Sequence, residues 1–433
     1  MAATPPIRYS EAAEVLRQAI VGSRTVSPAP PETVPLTAAA SRVLAEPIRA
    51  DRDQPPFPRS TRDGFACRAA EANTHQFLLL AAHLRAGEDP AAIASGHVAP
   101  GELWEIMTGA PVPAGADAVF MVEHAEFSAN PESAAIHNEV YAPDTHFVRL
   151  AAPRSLASGE NIVAAGSEAR SGDLVVPKGT RLTAAHIALA AQCGYPQLSV
   201  LARPTVAILS TGDELVSVES TPGPSQIRNS NSAMLAVLVA AAGGMPLTLP
   251  AVPDDTEPLA AAIHQALEAD LMLVTGGISA GRFDLVDEIL GAAGATFLFR
   301  GVSIQPGKPV AFGQIPRPDR SPLPFFALPG NPISSAVTFQ LFAAPLLAAL
   351  AGDSGPNPRF AQAQLATPWR GKPGLTRFLP AYCDFGRPAR VEIIPWQGSG
   401  DLAAFARSNC FAVIPDDATE ISAGASMQIL LVD

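Results

Sequence analysis

The chain has 433 residues, of which 48% are hydrophobic and only 16% charged; it carries 43 prolines and a formal net charge of −12. That length favours two to four domains, and the apolar content excludes a wholly disordered chain. The acidic balance argues against DNA or RNA as a partner, so any anion must be met by backbone donors, a few placed cations or a metal.

Cys67, Cys193, Cys383 and Cys410 form no CxxC unit and no zinc spacing. They read as reduced, buried thiols of a cytoplasmic protein. The N-terminus lacks the apolar core of a signal peptide. Two uncharged runs, 233–252 and 333–352, reach bilayer-spanning length. Gly243, Gly244 and Pro246 break the first, and the second carries Thr338, Gln340 and Pro345. Both read as buried segments of a large α/β core, with no membrane partner expected.

In chain order, residues 9–22 place Ala12, Val15, Leu16 and Ile20 at helical spacing, which predicts an amphipathic helix. A proline-rich connector, SPAPPETVP, follows, and TAAASRVLAEPIRA predicts a short helix entering a strand. Residues 51–150 are turn-rich, with short strand signals at LWEIMTG and AVFMVEHAEF, and read as a small β-rich domain. Residues 151–203 are mixed, with a turn at SGDLVVPKG and a helix at AAHIALAAQCG that Gly194 would cap.

Residues 204–352 alternate strands and helices. The predicted strands are TVAILS (205–210), PLTLPAV (246–252), LMLVTG (271–276) and FFALPG (325–330). Helices are predicted near 230–243, 256–268, 284–294 and 333–350. This alternation predicts a doubly wound, mostly parallel sheet. Residues 353–433 read as strands forming a small barrel or sandwich.

Ligands of such sheets bind outside the C-terminal strand ends. There the sequence places Thr211-Gly212-Asp213-Glu214, Asp254-Asp255, the TGGISAGRFD loop from Thr275 to Asp284, and Pro329-Gly330-Asn331-Pro332. Each alone reads as well as a turn or a helix cap. Together they gather carboxylates and glycines on one rim, an arrangement that a divalent metal with oxygen ligands would neutralise. Gly276, Gly277 and Gly281 would let backbone N–H groups approach an anion. Lys308 is a candidate point charge for phosphate. The residues thus predict an enzyme handling a phosphorylated ligand with Mg²⁺, without naming the ligand.

Seven segments in order, PPFPRSTRDGFA (55–66), IMTGAPVPAGADAVFMVE (106–123), VAILSTGDEL (206–215), QIRNSNSAML (226–235), VTGGISAGRFD (274–284), IQPGKPVAFG (304–313) and LPGNPISS (328–335), carry a resemblance. The chain resembles the molybdopterin molybdenumtransferases, the MoeA family, to which the C-terminal part of gephyrin is related. The resemblance implies a multidomain α/β plus β fold. Its parts would be a discontinuous helical domain (1–50 and 151–203), a β-rich domain (51–150), the α/β domain (204–352) and a C-terminal β-barrel (353–433). It implies a homodimer whose cleft joins the α/β domain to the partner's β-rich domain. It also implies the reaction: molybdate enters adenylated molybdopterin, a pyrophosphate bond is cleaved with Mg²⁺, and AMP leaves. Molybdopterin adenylyltransferase or cofactor-accepting proteins would be its delivery partners.

The resemblance assigns Glu214, Asp254 and Asp284 to Mg²⁺ and the pyrophosphate, and offers Asp63 and Thr108 across the dimer. Thr211, Gly212, Asp213, Ser230, Gly276, Gly277, Ser279 and Lys308 would hold the adenylated pterin. Pro329, Asn331 and Pro332 resemble the loop beside molybdate, and Ser399 a C-terminal loop facing the cleft. The sequence departs from the family at Gly301, Gln305, Ser167-Glu168 and Pro380, where basic or turn residues are frequent; this bears on oxyanion contacts. Alternatives are a tungstate-inserting paralogue and a non-catalytic pterin-binding scaffold. The adenylyltransferase itself would lack the β-rich and C-terminal domains.

Overall fold

The computed structural model describes residues 5–24, 29–93, 96–130, 146–277, 285–318, 320–353 and 358–432. The chain divides into two compact units, one of residues 1–46, 178–187 and 196–433, the other of 47–177 and 188–195.

In the larger unit, six described strands form the α/β sheet: β1 (Thr205–Ser210), β2 (Met245–Thr248), β3 (Leu271–Thr275), β4 (Thr296–Arg300), β5 (Ala311–Ile315) and β6 (Leu323–Leu328). Their order is β2-β1-β3-β6-β5-β4. The first four are parallel, and β5 and β4 extend the sheet antiparallel. Helices α1 (Ser230–Ala241), α2 (Thr256–Ala266), α3 (Leu285–Ala292) and α4 (Pro332–Thr338) accompany it.

Strand alternation explains the two cores. Val206, Ile208, Leu271, Leu273, Phe326 and Leu328 join one buried cluster with α1, α4 and the helix Tyr9–Arg24. Ala207, Leu209, Met272, Val274, Phe325 and Ala327 join the other, with α2 and α3. Both faces are covered, as the unbroken apolar runs predict. Within Tyr9–Arg24, the predicted stripe is the packed one: Ala12 and Leu16 are buried, and Val15 and Ile20 lean on the same cluster.

Several expectations need correction. The strand expected at 246–252 ends at Thr248, although Leu249 and Val252 still donate to Ile208 and Ser210; Pro246 and Pro250 supply no N–H to a ladder. The antiparallel pair β4–β5 was not predicted. The short helix expected within 37–50 is only a 3-10 turn, Leu36–Ala38. Part of the proline-rich connector, Pro31–Pro35, is a strand paired with Gln197–Leu201.

The second apolar run is one continuous helical stretch, 83% of it buried. It is long and apolar enough to cross a membrane by length and composition alone. A π-helical turn, Phe339–Ala343, joins α4 to the final helix Ala344–Leu350. Pro345 lacks the N–H that the turn before it would need, and the wider turn absorbs the mismatch.

The C-terminal strands Phe360–Leu365, Thr376–Asp384, Arg390–Ile393, Cys410–Ile414 and Ser426–Leu431 close on themselves as a five-stranded barrel. Its inner side holds Leu379, Ala381, Cys383, Val391, Cys410 and Ile429.

The smaller unit carries a six-stranded curled sheet built from Gly64–Cys67, Leu78–Leu84, Glu102–Ile106, Ala118–Met121, Ala125–Ser128 and Phe147–Leu150. Phe65, Phe120 and Phe127 form its aromatic centre. The predicted AVFMVEHAEF strand is two strands split by a 3-10 turn, Val122–His124. Gly194 ends the helix Ala184–Gln192 at φ 79°, the left-handed cap expected of it.

All four cysteines are free and buried. Burial pushes the Cys67 and Cys410 thiols up to about 12, and thiolate is the reactive form. The folded chain at pH 8 should therefore show no rapidly reacting thiol towards a disulfide reagent, and all four after denaturation. A fast-reacting native thiol would contradict this burial.

Candidate active site

Four chain segments meet where β1, β3 and β6 end. The Thr211 N–H donates to Thr275 O at 3.0 Å, Gly212 N–H to Val252 O at 3.2 Å and Gly276 N–H to Leu328 O at 3.4 Å. These bonds hold the expected loops on one rim. Thr211 is buried, and its hydroxyl donates to Asp254 Oδ1 at 2.5 Å. The Asp254 N–H donates to Asp213 Oδ1 at 3.1 Å. Asp255, not Asp254, caps α2, accepting from Glu257 N–H at 3.3 Å. The cap reading is thus right for one of the two aspartates, and Asp254 instead pairs with Thr211.

A cavity of about 620 Å³ opens there, within the range of small-molecule sites. Thr211, Glu214, Ser230, Gly276, Asn331 and Pro332 are in its wall. Two helices begin on it: Asn229 caps α1, accepting from Ser232 N–H at 3.1 Å, and Pro332 opens α4. Helix starts favour negative charge. Asn331 stands at the cap position of α4 without a side-chain capping bond, which leaves its amide available to a ligand.

The cavity wall is tied together by a partly buried polar network. Thr275 Oγ1 and Ser335 Oγ both donate to Pro329 O. Asn231 Nδ2 donates to Thr275 Oγ1 at 3.0 Å and to Gly330 O at 2.6 Å. One side chain thus ties α1 to the end of β3 and to the loop after β6. The sequence reading missed Asn231, Asn229 and Ser335. For the two asparagines the signal was the Asn-Ser-Asn triplet at 229–231, which opens an apolar helical run rather than following one of the predicted strands; Ser335 lies one turn into α4, past the loop that the strand-end rule picks out.

The glycines have a packing reason. Gly276 and Gly277 have φ of 99° and 63°. A Cβ on Gly276 would lie 2.2 Å from Thr211 O, and one on Gly277 2.6 Å from Val286 Cγ2. Close approach by the protein itself, not only by an anion, excludes side chains here.

The remaining predicted residues are distributed as follows. Ser399 accepts from Ile333 N–H at 3.0 Å, placing its loop against the start of α4, and Gly400 and Leu402 join the cavity wall. Lys308 is exposed and is not in that wall; its carbonyl accepts from Val302 N–H. Ser279 and Asp284 lie outside the described residues. Among the described residues no three His, Cys, Asp or Glu side chains form a metal-holding group. Glu214 and Asp254 carry carboxylates, the hard oxygen donors that Mg²⁺ takes.

The smaller unit holds Asp63 and Thr108 together. Asp63 Oδ1 accepts from the Thr108 N–H at 2.6 Å and from its hydroxyl at 2.9 Å. These two bonds, the backbone one first, hold the Asp63 carboxyl below the usual carboxylate range. The stabilisation is present above the ordinary carboxylate value and is lost as pH falls through the depressed one. Thr108→Val should therefore move the Asp63 titration upward, as read by NMR, and an unmoved midpoint would discount the hydroxyl bond. In the other unit, Gly276→Ala should cost at least about 1 kcal/mol of stability from its positive φ alone, measurable by denaturant unfolding; an unchanged midpoint would contradict the close approach to Thr211.

Family models match the chain in series: the MoeA N-terminal region (domain I and II) over 7–194, a probable molybdopterin binding domain over 207–349, and the MoeA C-terminal region (domain IV) over 362–432. The molybdopterin molybdenumtransferase of Bacillus subtilis (strain 168) is 32% identical over 410 residues, covering 93% of this chain and 90% of that protein. Its counterpart in Nostoc sp. is 33% identical over 414 residues, covering 92% and 88%. A crystal structure of a molybdopterin biosynthesis MoeA protein from Pyrococcus horikoshii OT3 superposes with a TM-score of 0.76 at 28% identity, over 99% of this chain and 100% of that one. With relatives matched over about nine-tenths of their length and all three regions in order, the chain belongs to the MoeA family of molybdopterin molybdenumtransferases, which are transferase enzymes.

Proposed function

We propose that the chain inserts molybdenum from molybdate into adenylated molybdopterin, with Mg²⁺-dependent cleavage of the pyrophosphate bond and release of AMP. Family membership makes it a transferase of molybdenum cofactor biosynthesis; the adenylated substrate, the metal and the leaving group are the proposal. The observation that carries it is the rim cavity, where a carboxylate, hydroxyls and two helix starts surround a space of about 620 Å³.

In this reading, Glu214 and Asp254 hold Mg²⁺ with Asp284. When bound, the ion would neutralise charge on the pyrophosphate. The Thr211 hydroxyl fixes Asp254 Oδ1 and so orients the carboxylate. Gly212 and Asp213 hold the loop that carries Glu214, Gly276 is in the wall that would take phosphate, and Gly277 and Ser279 would add contacts to it. Ser230 and Lys308 add donors to the nucleotide and pterin. Pro329, Asn331, Pro332 and Ser399 form the molybdate end. Cleavage adds water across the P–O–P bridge: the water oxygen bonds to one phosphorus, and the bridging oxygen leaves with the other phosphate. A cytoplasmic homodimer, with Asp63 and Thr108 supplied by the partner subunit, and the four-domain division complete the proposal.

The test is release of AMP from adenylated molybdopterin with and without molybdate and Mg²⁺. Glu214→Gln and Asp254→Asn replace exposed carboxylates, so both should fold. Each should lower AMP release by about 100-fold or more, because the metal contributes several kcal/mol of charge stabilisation. Undiminished turnover in both variants would overturn the carboxylate-metal reading.

A further inference from the structure

Arg228 is the one cation among the described residues of the cavity wall. Its Nε donates to Val218 O at 2.9 Å and to Ser220 O at 3.1 Å. Those carbonyls belong to the loop between Leu215–Val216 and Ile227–Arg228, two short segments that pair in parallel. The loop is further closed by a Ser217–Ser220 hydroxyl bond and a Gln226 bond to the Gly223 N–H. The guanidinium is therefore held by one edge, and its two Nη groups have no hydrogen-bond or ion-pair partner among the described residues. Glu214, the carboxylate of the same wall, makes no ion pair with it among them either.

In a chain of net charge −12, Arg228 is the positive charge that the described wall presents. Arginine presents its Nη donors in a planar fork that matches a tetrahedral oxyanion. Asn229 and Ser230 follow directly, so the positive start of α1 lies on the same wall. Glu214 and Asp254 cannot serve an anion without a cation between, whereas Arg228 can meet one directly.

We infer that Arg228 is a specificity residue of this site, its guanidinium gripping a tetrahedral oxyanion: the phosphate of the nucleotide or the molybdate itself. The inference rests on the proposed function for the cavity. Arg228 is exposed, so its replacement should leave the fold unchanged, as checked by thermal melting.

The experiment is calorimetric titration of the full chain and of its R228Q and R228K variants with AMP, adenosine and molybdate. A charge-assisted bond should make R228Q weaken one oxyanion by about 10- to 100-fold, with R228K recovering part of the loss. Weakened AMP with unchanged adenosine identifies the phosphate, and weakened molybdate with unchanged AMP identifies the metal oxyanion. Wild-type affinity of R228Q for both oxyanions would overturn the inference while leaving the proposed function intact. Equal weakening of AMP and adenosine would also overturn it, since that marks a disturbed loop. If the unaltered chain binds none of the three, the proposed function falls and this inference with it.

Discussion

Val206, Ile208, Leu271 and Leu273 point to one side of the central sheet, Ala207, Leu209, Met272 and Val274 to the other, and all eight are fully excluded from water. Removing side chains of this size from water contributes roughly 1.5–3 kcal/mol each for the larger ones. The same burial fixes where β1 and β3 stop. Their last residues, Ser210 and Thr275, are the first polar ones after the apolar run, and both are still buried. The rim begins where apolar packing ends, so the cavity's position follows from the core.

Burying that rim has a polar cost, met by local pairing. Ser210 shares a hydroxyl bond with Ser232, and Thr275 bonds to Pro329 O and receives Asn231. Asn231 spends both its amide hydrogens on this layer, while its Oδ1 has no partner among the described residues. An unpaired buried acceptor costs about 1–3 kcal/mol. The molecule tolerates that in exchange for a side-chain tie between α1, the end of β3 and the loop after β6.

Much of this was legible beforehand. The strands at 205–210 and 271–275 could be read because β-branched and leucine runs bounded by polar turns have few alternatives, and the rim followed from parallel topology. The parts that could not be read share a cause. β4 and β5 belong to an antiparallel extension whose sequence, broken by Pro306 and Pro309, carries no helix between strands to announce it. The π-helical turn before Pro345 depends on packing that allows a wider turn to persist. Arg228 and Asn231 sit at the start of a helix, one just before α1 and one in its first turn, rather than after a predicted strand, so a strand-end rule passes over them.

The sequence by itself determined the identity of the chain, through seven ordered segments, and the chemistry of its rim, because carboxylate, hydroxyl and glycine positions are properties of residues. It also determined the two-faced sheet, since period-two burial needs only apolar runs. Tertiary structure alone decided which rim residues share one cavity, because that depends on how loops far apart in sequence are tied. Thr211 is joined to Asp254, Asn231 to Gly330, and the Ser399 loop to the start of α4. It also decided that Gly276 and Gly277 answer to neighbouring protein atoms, a fact of distance that no residue type encodes.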